Sequence, residues 1–198
     1  GLMLDLSPTR IDELSEKHDY EFWQLRTPLT GYRLSGRPYG LDNGCFSKFN
    51  KRKWLKMIDE AKENKPIFAS LPDVVGDAQR SIELFWIFMH ELGPVPKAFV
   101  LQDGVSRIEI PWRWIDAVFV GGTDQFKSSQ ECFNAVKAAK MLDKWVHVGR
   151  VNTRARLSQW VDMDADSIDG SGLCRFDHML DAIVPMLKGE DPQNIMAI

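Results

Sequence analysis

The chain has 198 residues, of which 44% are hydrophobic and 27% are charged, a composition typical of a globular domain with a core. Its 25 basic and 28 acidic residues give a formal charge of −3, which excludes a wholly basic nucleic-acid binder but not a local basic patch. No apolar run approaches the roughly 20 residues that cross a bilayer, and the first residues lack a signal-peptide pattern. We therefore expect one cytoplasmic domain over residues 1–198, with no membrane partner.

Cysteine and histidine do not predict a metal site. Cys45, Cys132 and Cys174 lie far apart, and no CxxC pair or HExxH spacing occurs. The favoured interpretation is three small buried thiols in a reducing cytoplasm. We expect no metal and no cofactor.

Short apolar runs and helical patterns alternate along the chain. The candidate strands cover residues 2–6, 39–42, 67–71, 98–102, 117–120, 145–148 and 167–169. The helical patterns cover residues 51–64, 77–92, 129–142, 153–163 and 176–187. Strands that alternate with helices are typical of parallel α/β folds.

The spacing of the strands is compatible with a compact α/β fold of the TIM-type (β/α) barrel class, but it does not by itself choose between this fold and an open sheet. Eight units of about 25 residues would fit, at the lower edge of the barrel size range. A doubly wound open sheet has the same alternation, although no Walker loop or GxGxxG follows the first strand. The eighth strand is not placed by the sequence. The barrel is closed by residues 182–198, closed by its first strand, or left incomplete.

Polar residues gather where the predicted strands end. Asp42, Asp73 and Asp169 each follow a strand, as do Gln102 and the glycine pair 121–122. An aspartate at such a position can serve only as a helix cap or a turn residue. In parallel α/β folds the carboxyl ends of the strands also carry the active site. These residues are therefore candidates for acid, base and nucleophile chemistry.

Six segments between residues 39 and 172 resemble, in the same order, motifs of the tRNA-guanine transglycosylase superfamily. They are LDNGCFS at 41–47 (DSGGFQ in the family), SLPD at 70–73, VLQDG at 100–104 (VQGG), VGG at 120–122 (GGL), HVG at 147–149 (HLLGIG) and ADSIDGS at 165–171 (VDMFDCV). Each motif is short, but six of them in one order are fairly specific for the superfamily.

The resemblance implies an enzyme that breaks a nucleoside N-glycosidic bond on a (β/α) barrel. It makes Asp169 the nucleophile that traps sugar C1′ and Asp42 the acid and base for the departing and incoming bases. Their transition state would have oxocarbenium character, as in O-glycoside chemistry.

The resemblance also implies a pocket for the base. Asp73 and Gln102 would contact the edge of the base, because they offer an acceptor and a mixed donor and acceptor. Gly121 and Gly122 would let backbone groups approach it. Phe46 could stack on the base, and core packing is an equal interpretation.

Departures from the family pattern bear on the substrate. The zinc-binding Cys/His cluster that follows the nucleophile in the tRNA enzymes has no counterpart, and DSGGFQ has become DNGCFS. The sequence is more similar to the compact, zinc-free relatives of phages and bacteria, such as the 7-deazaguanine DNA transglycosylases. This similarity implies DNA rather than tRNA, and a free purine-like modified base, as partners. A homodimer would also be ordinary for the superfamily.

Such a pocket requires cations for the nucleic-acid backbone, because a base must be flipped out or single-stranded to enter it. The candidates are Arg150 and Arg154 after one strand, Lys51 after another, and Arg175 after the nucleophile. Charge runs of this kind are also common on solvated helix faces.

Three alternatives remain open. The same aspartate pair could pass the sugar to water, as in a DNA glycosylase that excises a modified base. A non-catalytic nucleic-acid-binding barrel would keep the fold without the chemistry. A barrel enzyme for small phosphorylated metabolites would use the Gly-Ser-Gly segment at 170–172 as a phosphate loop.

Overall fold

The computed structural model describes residues 1–190, in which eight parallel strands close into a barrel surrounded by helices. The strands are β1 (Leu2–Leu4), β2 (Trp23–Arg26), β3 (Tyr39–Leu41), β4 (Phe68–Ser70), β5 (Lys97–Leu101), β6 (Ala117–Val120), β7 (Trp145–Val148) and β8 (Ser167–Asp169). They pair in chain order, and β1 closes the ring against β8. The predicted TIM-type barrel is confirmed, and it is complete rather than open.

The strand that the sequence did not reveal is β2, between β1 and β3. Gln24 and Arg26 are polar yet buried, so this strand lacks the apolar run that marks the others. The Gln24 amide donates to two backbone carbonyls, and the Arg26 guanidinium donates to Glu60 at 3.0 Å. These bonds satisfy most of the polar atoms that the two side chains bury, although Arg26 Nη1 has no hydrogen-bond partner among the described residues.

Helices pack around the outside of the barrel. They are α1 (Pro8–His18), α2 (Lys51–Glu63), α3 (Ala78–Phe88), α4 (Asp124–Lys127), α5 (Gln130–Met141), α6 (Arg154–Asp162), α7 (Ser171–Arg175) and α8 (Asp177–Leu187). Side chains of Ser7, Asn50, Asp77, Thr123, Ser129 and Thr153 cap the first six.

The C-terminal tail does not supply a closing strand within the described residues. Residues 182–187 belong to α8, and residues 191–198 lie outside the described residues. Within residues 1–190, none of the helices combines the length and apolar character that crossing a bilayer requires.

Apolar side chains form two layers, one between the strands and the helices and one inside the barrel. The outer layer includes Trp54 and Trp160, both fully buried. The inner layer comprises Met3, Leu25, Phe68, Ala98, Val100, Ala117 and Phe119. Each large side chain buried in this way stabilises the fold by about 1.5–3 kcal/mol. The inner layer fills the barrel, so a ligand can enter only at the ends of the strands.

Candidate active site

A cavity of about 410 Å³ opens at the carboxyl ends of the strands. Every strand contributes to its lining through the residues at or just beyond its end. Among them are Asp5, Thr27, Asp42, Asp73, Gln102, Gly121, Arg150 and Asp169. The predicted strand-end residues are therefore brought together, as the parallel arrangement requires.

Asp169 is the last residue of β8, and its carboxylate is held by two neighbours from β7 and the loop after it. His147 Nε2 lies 3.0 Å from Oδ2, and the Arg150 backbone N–H donates to Oδ1 at 3.2 Å. The side chain is 13% exposed, toward the cavity. The carboxylate is thus fixed in orientation and still accessible to a ligand.

His147 is a site residue for which the sequence predicted no role. It is fully buried, and burial lowers the pKa of its imidazole, which favours the neutral ring. Its Nδ1 lies 2.8 Å from Ser167 Oγ, which accepts a bond from Trp145 Nε1 at 2.9 Å. The single ring proton is assigned to Nε2, because the carboxylate of Asp169 can only accept. The available signal was a histidine inside an otherwise apolar strand.

Asp42 follows β3 and faces the same cavity. Burial, and then the charges of Asp169 and Asp73, raise the pKa of its carboxyl to about 7. Its Oδ1 accepts bonds from the Asn43 N–H at 2.8 Å and from Ser70 Oγ at 3.4 Å. A carboxyl group that titrates near neutrality can both give and take a proton.

Asp73 and Gln102 form a hydrogen-bonded pair in the cavity wall. Gln102 Oε1 accepts from the Gly76 N–H at 2.8 Å, which turns Nε2 toward Asp73 Oδ2 at 2.6 Å. Asn43 Nδ2 donates to the other oxygen of Asp73 at 2.8 Å. Burial raises the pKa of Asp73, although both amide bonds oppose that change. The orientation of the pair is therefore fixed by hydrogen bonds within the protein, without a ligand.

Gly121 and Gly122 are glycines for steric reasons. A Cβ on Gly121 would lie 2.7 Å from Gln102 Nε2. Gly122 has a φ of +70°, and a Cβ there would collide with the ring of Phe126. The absence of a side chain at Gly121 lets the backbone lie close to Gln102, as expected for the wall of a narrow pocket.

The mouth of the cavity carries an aromatic ring and two cations. Phe46 is 63% exposed, and the Arg150 guanidinium lies 4.5 Å from the centre of its ring. Arg150 also donates to the Gly122 carbonyl, and Arg175 lines the cavity on the side of β8. Phe46 is therefore a surface residue at the mouth and not part of the core.

Arg154 and Lys51 do not line this cavity. Arg154 Nη1 donates to the Ala182 carbonyl at 3.3 Å, on the side of α8. The ammonium of Lys51 lies 5.1 Å from the centre of the Phe88 ring. Both residues begin helices that follow the strand-end loops, so they lie farther from the carboxylates than Arg150 and Arg175 do.

Two charged residues that the sequence did not single out also line the cavity. Asp5, just beyond β1, accepts bonds from Thr30 Oγ1 at 2.6 Å and Thr27 Oγ1 at 3.3 Å, and burial raises the pKa of its carboxyl. Lys127 is almost fully buried, and its ammonium donates to the Gly149 carbonyl. Neither belongs to a motif whose spacing would have identified it.

Among residues 1–190, no group of three or more histidine, cysteine, aspartate or glutamate side chains is placed to hold a metal ion. The carboxylates of the cavity are engaged with amide, hydroxyl and imidazole groups, as described above. Comparison of the sequence with protein-family models and with curated proteins finds no match, so the geometry of the cavity is the basis for assigning its chemistry.

Proposed function

We propose that this protein breaks the N-glycosidic bond of a nucleobase in nucleic acid through a covalent aspartyl-sugar intermediate and exchanges the base for a 7-deazaguanine-type base. One observation carries the proposal. Asp169 and Asp42 face one cavity in opposite surroundings, the first oriented by two N–H groups and the second with a pKa of about 7. Two carboxyl groups with different tasks need such different surroundings.

In the first step, an oxygen of Asp169 attacks C1′ as the bond from C1′ to the base nitrogen breaks. The electron pair of that bond passes to the base, and the proton of the Asp42 carboxyl neutralises it. Asp169 becomes an ester of the sugar, and Asp42 becomes a carboxylate. Because its pKa is about 7, Asp42 is mostly protonated below pH 7 and can supply the proton that this step needs.

In the second step, Asp42 takes a proton from the incoming base, whose nitrogen then attacks C1′ and displaces Asp169. The starting charges are restored, so the cycle balances without another reactant. If water enters instead, the same residues complete a hydrolysis, and the product is an abasic sugar. The exchange and the hydrolysis thus differ only in the second acceptor.

The cavity is suited to a planar, polar ligand. Its volume of about 410 Å³ falls within the usual range of roughly 300–1,000 Å³ for small-ligand sites. Asp73 offers an acceptor and Gln102 Nε2 a donor on one wall, and Phe46 provides a ring at the mouth. These groups support recognition of the edge and the face of a purine-like base.

A nucleic-acid substrate is supported by the cations at the mouth. Arg150 and Arg175 line the opening through which a flipped-out or single-stranded nucleotide would pass. Lys51 and Arg154 lie at the starts of α2 and α6 and are proposed to contact phosphates farther along the strand. DNA is preferred over tRNA because the sequence is more similar to the compact, zinc-free branch.

The test is a gel assay under denaturing conditions with the wild type, Asp169→Ala and Asp59→Ala. Asp59 is an exposed carboxylate on α2 and serves as the matched control. Modified and unmodified DNA, and tRNA, are incubated with and without a labelled 7-deazaguanine base and then treated with alkali.

Labelled base that enters DNA with the wild type and the control, but not with Asp169→Ala, supports exchange. Alkali-sensitive breaks without added base, again lost in Asp169→Ala, would replace exchange with hydrolysis. If neither product forms on DNA or tRNA, the covalent-aspartate chemistry is overturned.

A further inference from the structure

Two segments beside Asp169 are joined by a reciprocal pair of hydrogen bonds. Lys127, the last residue of the short helix α4 that follows β6, donates from its ammonium to the carbonyl of Gly149, in the loop after β7. In the loop after β7, the guanidinium of Arg150 donates a hydrogen bond to the carbonyl of Gly122, which follows β6. Each cation thus donates to a glycine carbonyl of the opposite segment, and the segments after β6 and β7 are held together next to Asp169.

The carbonyl that accepts from Lys127 belongs to the peptide group that joins Gly149 to Arg150. The N–H of the same peptide group donates to Asp169 Oδ1 at 3.2 Å. A continuous chain therefore runs from the ammonium through one peptide to the carboxylate. Hydrogen bonds in such chains polarise one another, so an ammonium on the carbonyl strengthens the donor at the N–H.

Lys127 is held at both ends. It is 1% exposed, and its own carbonyl accepts a bond from Gln159 Nε2 at 3.1 Å. The charged groups facing its ammonium are Arg150, Asp169, Asp124 and Arg156. Burial, reinforced by Arg150, lowers the pKa of Lys127 to about 8, so keeping its charge has a cost.

The peptide that Lys127 contacts has a conformation that needs support. Arg150 has a φ of +61°, in the left-handed region that side chains other than glycine rarely adopt. The bonds at the carbonyl and at the N–H of this peptide fix its orientation. Without the bond from Lys127, the N–H would be less firmly aimed at the carboxylate.

We propose that Lys127 is a positioning residue for Asp169 and acts through the peptide group between Gly149 and Arg150. Its role in catalysis rests on the function proposed above, whereas the contact itself does not. Lys127 holds the carboxylate where it can reach C1′, and its charge stabilises the carboxylate when the ester is displaced.

The contact is tested by NMR of the full chain, through the amide proton of Arg150. In Lys127→Met this proton should move upfield because its bond to Asp169 weakens, and in Asp169→Asn it should move the same way. Lys137→Met, an exposed lysine on α5, is the matched control and should leave it unchanged. Lys127→Gln, which keeps a donor without the charge, should give an intermediate shift and serves if the methionine variant does not fold. An unchanged Arg150 amide in the folded variants overturns the proposal.

The consequence is tested by steady-state kinetics of base exchange or release. In Lys127→Met, kcat should fall about tenfold to a hundredfold, the range expected for one hydrogen bond to a charged group, while KM for the nucleic acid stays nearly constant. An equal loss in Lys137→Met, or a loss confined to KM, would overturn the positioning role. An inactive wild type with the expected Arg150 shifts would refute the proposed reaction and leave the contact supported.

Discussion

His147 Nε2 and Asp169 Oδ2 lie 3.0 Å apart at the ends of neighbouring strands. The imidazole of His147 is fixed on three sides. Ser167 Oγ is hydrogen-bonded to its Nδ1, and the ring centres of Phe68 and Phe119 lie 4.8 and 4.7 Å from its own ring centre. The inner layer of the barrel therefore sets the direction of the histidine, and the histidine sets that of the carboxylate. Packing and chemistry are connected at this point.

Replacing His147 should impair turnover more than binding. In His147→Asn the short amide can stay near Ser167 but cannot reach Asp169, so kcat should fall about tenfold to a hundredfold with little change in KM. Ser167→Ala, which keeps the bond between the ring and Asp169, should have a smaller effect. Steady-state kinetics on the substrate found by the gel assay measures both. Full kcat in His147→Asn would contradict the role assigned to this ring.

Asp42 should make the protein less stable as the pH rises. Its pKa is about 7 in the folded protein against an ordinary value of 3.8, so the folded state holds this proton longer than the unfolded state does. The contribution to stability therefore decreases as the pH rises between these values and levels off above pH 7. Asp42→Asn removes this slope. The free energy of unfolding of Asp42→Asn, relative to that of the wild type, should rise by roughly 1–3 kcal/mol from pH 4 to pH 8. One pKa unit corresponds to about 1.4 kcal/mol, and the effect is smaller than the full shift implies because the Asp42 side chain is partly exposed. Urea unfolding at several pH values measures the difference, and parallel curves would show that the carboxyl is not perturbed.

Gly122→Ala should destabilise the protein more than Gly76→Ala does. Both glycines have positive φ angles, +70° and +77°, so each substitution carries a backbone cost of about 1–2 kcal/mol. Only Gly122 has a neighbour in the way, because its Cβ would meet the ring of Phe126, whereas no atom lies within 4 Å of a Cβ on Gly76. Thermal unfolding of the two variants compares the costs directly. Equal losses would mean that the loop after β6 can shift to make room.

Phe46→Ala should weaken nucleic-acid binding without lowering stability. The ring is 63% exposed, so the fold depends on it little, but it lies at the mouth beside Arg150. The loss of one stacking partner for a base should cost about 1–3 kcal/mol of binding free energy. Phe176→Ala removes another exposed ring, which packs on His178, and is the control. Fluorescence anisotropy with single-stranded DNA gives the affinities. Equal affinities for the wild type and Phe46→Ala would place the base elsewhere.

The barrel and its strand-end carboxylates could be predicted because both follow from local patterns. Asp42, Asp73 and Asp169 end apolar runs, and parallel strands bring their carboxyl ends together. The strand β2 could not be found in that way, because half of its residues are polar and are satisfied by partners far away in the sequence, such as Glu60 for Arg26.

The directions of the side chains could not be predicted from the sequence either. Arg150 and Arg154 are four residues apart, yet the first lies over Phe46 at the mouth and the second reaches the Ala182 carbonyl on α8. Lys127 gives the opposite case, because a cation in a short helix is expected at the surface, whereas this one is buried beside Asp169. Spacing places a residue in a loop, and only packing decides where its side chain goes.

The closure of the barrel between β1 and β8 also sets the order in which the site can be built. Asp169 pairs in register with Met3, and the Ile168 N–H donates to the Gly1 carbonyl at 2.9 Å. A ribosome-bound chain therefore exposes Asp42 long before the strand that carries Asp169 can dock. Until β8 has paired with β1, Asp42 and Asp169 do not face a common cavity. If the function proposed above is correct, the two carboxylates can act together only after β1 and β8 have paired.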